Sequence, residues 1–203
     1  MINVKRSLRV EKLRKYYLEN SKMVTDENIF CWKCHRSLML YVEGWEKNAW
    51  NTDTARIRRS AAEAYMLENT KPIIIPGELI VGQPCFDDFS EEEEKRYEKC
   101  LKVESIMPVK RGRADHLALD YQLLLDKGIN GILKIIDEEI AKIDFCDGSA
   151  AERYEFLYCC KIELNGLLKM CEAYAAKAKE LAAEQDTTNL NRTFWVCRIQ
   201  PKV

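Results

Sequence analysis

Residues 149 to 185 carry the longest periodic pattern in the chain. Leu157, Cys160, Leu164, Leu167, Cys171, Tyr174, Ala178 and Leu181 recur at alternating spacings of three and four. That period predicts one long helix with an a/d seam sustained over more than three heptads. Ser149, followed three positions later by Glu152, reads as a capping box that opens it. Two cysteines and an alanine make the seam weak for a free-standing coiled coil. The expectation is therefore a helix packed against other helices of a large domain.

The remaining pattern supplies those helices. A basic amphipathic helix is expected over residues 4–19, a second over 30–47 and a third from Thr54 to Glu68. In the second, Phe30, Cys34, Leu38, Tyr41 and Trp45 share one stripe, with Cys31 beside it. Ser90 with Glu93 forms a capping box for a short solvated helix ending near Cys100, and a loop follows over residues 103–114. Asp115 caps a helix that Gly128 ends, and Asn130 caps the next. One stretch breaks the pattern. Residues 72–83 place two apolar runs around Pro76 and Gly77, with a proline near each end, as in a strand–turn–strand or an arch. The fold class is mainly α with one short extended segment.

Charge narrows the function. Lys and Arg number 32 against 33 Asp and Glu, a net charge of −1, whereas a nucleic-acid binder needs a basic excess or stripe. No run of about 18 apolar residues is present to span a bilayer. The opening residues alternate charge with single hydrophobes and lack the apolar stretch of a secretory signal. The expectation is a cytoplasmic protein, with no nucleic-acid or membrane partner and nine reduced cysteines.

Self-contained chemical motifs are few. There is no P-loop, GxGxxG, GxSxG or HExxH. CWKCH, residues 31–35, has the spacing of a haem attachment site and of half a zinc site. His35 and His116 are the two histidines, and no second CxxC exists to complete a zinc site. Cys31 and Cys34 on an apolar helix face instead suit buried thiols, which behave as small hydrophobes. The acidic run at residues 91–94 suits a solvated helix start, and Cys159 and Cys160 diverge around a helix. In GRADHLALDY, residues 112–121, His116 falls in the expected first helical turn. The helix dipole disfavours the imidazolium there, so a neutral ring is available to hold a substrate hydroxyl or carboxylate. A histidine simply packed at a helix start fits the same residues.

RRSAAEAYMLENTKPIIIPGELIVG, then GRADHLALDYQLLLDKGINGI, then the long helix ending EAYAAKAKELAAEQ together resemble the N-terminal region of pyruvate formate-lyase-like glycyl radical enzymes. The resemblance covers roughly residues 5–185 and is nearer the dehydratase and lyase branch than the formate acetyltransferase itself. It implies the helical N-terminal layer of a ten-stranded β/α-barrel enzyme of anaerobic metabolism. Residues 1–185 would be part of the pyruvate formate-lyase-like domain and residues 186–203 a divergent or truncated tail. It also implies a glycyl radical installed by a radical S-adenosylmethionine activase, and a thiyl radical on a cysteine in a barrel loop. Both positions lie outside the matched region, and no RVxGY motif is present. No residue here inherits a catalytic, cofactor or metal role. His116 matches a substrate-reaching histidine of that branch, and CWKCH becomes packing.

Two other readings use different residues. A helical interaction protein would employ the 149–185 seam and the apolar tail, where Phe194 and Trp195 lie among five nearly continuous apolar residues. A small metalloprotein would employ CWKCH. The partners implied by the resemblance are the rest of such an enzyme or a homodimer partner, and the activase. Anaerobically purified protein is expected to show no Soret band and substoichiometric zinc. One tight zinc per chain, lost on changing Cys31 and Cys34 to Ser, overturns the packing role.

Overall fold

A computed structural model describes residues 7–20, 24–26, 29–31, 35–48, 54–81, 89–108 and 120–184. The elements are α1 (Leu8–Asn20), β1 (Val24–Asp26), β2 (Ile29–Cys31), α2 (His35–Lys47), α3 (Ala55–Glu68), α4 (Glu91–Ile106), α5 (Tyr121–Ala141) and α6 (Ala150–Glu184). The chain is mainly helical, as its periodicity dictates. Its strands lie elsewhere than expected. β1 and β2 pair antiparallel, with Val24 opposite Cys31 and Asp26 opposite Ile29. Three-residue strands are too short to leave a countable alternation in the sequence.

Residues 71–81, the described part of the expected extended segment, hold a turn but no strand. Pro76 fixes one central torsion and Gly77 takes φ 95°, the pairing a type II turn requires. The Glu78 amide donates to the Ile75 carbonyl at 3.1 Å, and the Glu78 carboxylate accepts the Ile75 amide at 3.0 Å. Arg9 on α1 donates to the Gly77 carbonyl at 2.9 Å, tying the first helix to this turn.

α3 is the centre of the helical layer, clasped on two sides. Against α2, Gly44 comes so near that an added Cβ would lie 2.7 Å from Tyr65 Cβ. Against α6, a Cβ on Gly166 would lie 2.6 Å from Ala64 Cα. Beside these crossings Ser60 donates to Glu163 at 2.7 Å, and Lys169 donates to Glu68 at 2.7 Å. Thr54, which also caps α3 by accepting the Ile57 amide, donates to Glu155. These pairs advance together along both chains, so α3 and α6 run parallel. α5 returns along α6 in the opposite sense, through Lys161 to Asp137 at 2.5 Å and Arg153 to Glu139 at 2.7 Å.

The core lies where α2, α3 and α4 meet. Leu38, Met39, Tyr41, Val42 and Trp45 of α2 are buried with Ala62, Cys100 and Met107. Arg58 covers the edge of this core, stacking over the Trp45 ring at 4.0 Å while donating to the Trp45 carbonyl at 2.8 Å.

Several expected boundaries are corrected. The helix expected at 4–19 spans Leu8–Asn20, and the one expected at 30–47 begins at His35, because residues 29–31 are in β2. α4 continues six residues beyond Cys100, so the expected 103–114 loop starts too early. α5 begins at Tyr121, where the Asp120 carboxylate accepts the Leu123 amide at 2.9 Å; Asp115 is not its cap. Gly128 does break the helical path, with φ 65° and ψ 177°, and the chain resumes the helix at a bend. The Ser149 box does not form: its hydroxyl and amide both donate backward to Asp147, at 3.1 and 2.9 Å. The Ser90 box forms completely.

The two glycine crossings are the most volume-sensitive places in the fold. Gly166→Ala is expected to lower stability by about 1–3 kcal/mol through overpacking against backbone. Gly148→Ala, where a Cβ meets nothing within 4 Å, is the control and should stay within about 0.5 kcal/mol of the parent. Urea midpoints of the two variants check this, and equal midpoints overturn the tight α3–α6 crossing.

Candidate functional site

CWKCH straddles two elements instead of lying within one helix. Cys31 closes β2 opposite Val24, and His35 opens α2. The apolar helical stripe expected through Phe30 and Cys34 is therefore corrected: Phe30 is in β2, and α2 begins after Cys34. Residues 32–34 lie outside the described residues. Among the described residues no group of three or more His, Cys, Asp or Glu side chains converges as a metal site.

His116 also lies outside the described residues. What is described is the helix that follows it. Asp120 is its cap, and the first turn of α5 starts at Tyr121.

The acidic run at the start of α4 has a defined structural part. Glu93 accepts the Ser90 amide at 2.9 Å, while the Ser90 hydroxyl accepts the Glu93 amide at 3.3 Å. Arg36 of α2 then clamps both Glu93 oxygens, at 2.8 and 3.1 Å, and lies over the Phe89 ring at 5.1 Å. Arg36 first, and the Ser90 amide next, hold the Glu93 carboxyl down to about 2. A second cluster joins α2, α3 and α4. The Tyr65 hydroxyl donates to Glu43 at 2.7 Å and accepts from Lys47 at 2.5 Å, while Arg96 reaches the other Glu43 oxygen at 2.5 Å. The Lys47 ammonium, then Tyr65 and Arg96, hold Glu43 down to about 2. These carboxylates are permanently charged helix clamps at neutral pH, and neither is poised to move a proton.

Three of the described thiols are also poorly suited to chemistry. Burial pushes Cys100, Cys159 and Cys160 up, opposite to the shift that activates a nucleophilic thiolate. Cys159 lies beside Ser60 between α3 and α6. Glu78 folds its side chain under the Pro76–Gly77 turn, and the residue is 5% exposed. A proline-glycine-acid triplet between apolar runs was its signal: a short carboxylate arm can close such a turn onto the amide three residues back.

The helical layer and its turn define a scaffold class, and the family model for pyruvate formate lyase-like proteins matches residues 83–193. The chain belongs to that family, as its motifs suggested. Its fold is similar to solved glycyl radical enzymes. The B12-independent glycerol dehydratase from Clostridium butyricum aligns with TM-score 0.74 and 17% identity, over 96% of this chain and 31% of that one. A structure concerned with 1,2-propanediol dehydration in Roseburia inulinivorans aligns with TM-score 0.76 and 19% identity, again over 96% and 31%. The hydroxyproline dehydratase from Clostridioides difficile gives 0.71 and 17%, over 97% and 31%. The chain thus spans under a third of the length of these structures. No curated protein matches the sequence. No described helix is long and apolar enough to cross a membrane.

The two carboxylate clusters set an acid response. Both carboxyls ionise well below their ordinary 4.5, so the unfolded chain takes up protons first on acidification. The stability they contribute is present above about 4.5 and disappears as pH falls toward about 2. Glu93→Gln keeps the cap but loses the ion pair. Its urea midpoint is expected to vary less steeply than the parent's across that window, and an unchanged slope overturns the assignment.

Proposed function

We propose that this chain is the N-terminal region of a glycyl radical lyase or dehydratase that acts on a small organic substrate, and that it has no turnover alone. The observation carrying this reading is the family match over residues 83–193, together with similarity of 96% of the chain to about a third of each radical dehydratase. The layer supplies helices, clamps and a fixed turn, and burial keeps Cys100, Cys159 and Cys160 as thiols.

In this proposal the radical glycine and reactive cysteine belong to the barrel portion of such an enzyme, and a radical S-adenosylmethionine activase installs the radical. The chain's partners are that remaining portion or a second copy, and the setting is anaerobic and cytoplasmic. A radical placed on a glycine is useful only where the backbone holds it beside the reacting thiol, and that geometry is what the barrel would provide. His116 is proposed to hold a substrate oxygen through a neutral imidazole, on its match to the family motif.

Incubating the 203-residue chain with an activase and S-adenosylmethionine is expected to yield no glycyl radical doublet by electron paramagnetic resonance. A doublet from this chain overturns the assignment of radical chemistry to the barrel. A reading frame beyond codon 203 that encodes a barrel cysteine and an RVxGY motif would support the enzyme reading directly.

The His116 assignment is tested in a full-length relative carrying the GRADHLALDY block. Changing that histidine to Ala is expected to leave radical yield intact and to depress turnover by about 10²–10⁴-fold if the ring also handles a proton. A packing histidine gives another pattern: a melting temperature lowered by about 1 kcal/mol of stability, with kcat/KM nearly unchanged. Normal turnover on a destabilised protein removes His116 from the substrate site.

A further inference from the structure

We draw no further inference here: the strongest candidate, the exposed aromatic patch where α5 turns into α6, formed by Phe145 and the stacked pair Tyr154 and Tyr158, is an apolar face, and nothing in the structure shows what covers it.

Discussion

The close approach of α3 to its two neighbours is the constraint on which the helical layer depends. Gly44 and Gly166 remove a side chain at each crossing, and Ala62 and Ala64 face them from α3. Backbones that approach this closely exclude water from the seam and bring polar side chains within reach across it. The Ser60–Glu163 and Lys169–Glu68 bonds flank the α6 crossing, and the Tyr65–Glu43–Lys47 cluster flanks the α2 crossing. Widening either crossing by a methyl group would stretch bonds that fix orientation as well as distance. The glycines therefore matter for register, beyond the volume they leave free.

Helix existence was legible in the sequence where local chemistry was self-sufficient. Ser90 and Glu93 satisfy two helix-end amides reciprocally, a bargain that needs nothing from the rest of the fold. Thr54 caps α3 by the same local logic. Ser149 fails because a competing acceptor, Asp147, sits two residues upstream and captures both its hydroxyl and its amide. Asp120 rather than Asp115 caps α5 for a similar reason: two aspartates precede the helix, and local preference alone does not rank them. The β1–β2 pair was not legible, since each strand spans only three residues.

The long seam was read correctly as helical but incompletely as a contact surface. The closest contacts to α3 follow Glu155, Cys159, Glu163 and Gly166, a stripe offset from the seam through Leu157, Cys160 and Leu164. Counting large apolar residues finds the helix and its apolar seam. It misses the tightest line, which is built from a glycine and from polar groups paired across the crossing. The same bias hid Gly44 within an otherwise apolar helix. As for the site, CWKCH looked helical because its periodicity joined onto that of α2; β2 ends at Cys31 before that helix begins.

The turn at Pro76 and Gly77 shows how folding alone can constrain a short motif. Gly77 occupies a positive φ that a side chain would strain, and Pro76 sets the torsion before it. Glu78 then folds beneath the turn, where its carboxylate meets the Ile75 amide and the residue is nearly excluded from water. Each residue limits what its neighbours can be: a bulkier side chain strains the glycine, and a shorter acid loses the amide. Arg9 adds a long-range requirement, since it reads the Gly77 carbonyl across 68 positions of sequence. A segment so constrained keeps a recognisable pattern for reasons of folding alone. The PGE triplet is therefore explained by architecture, whereas a role in catalysis must be argued from residues that reach substrate.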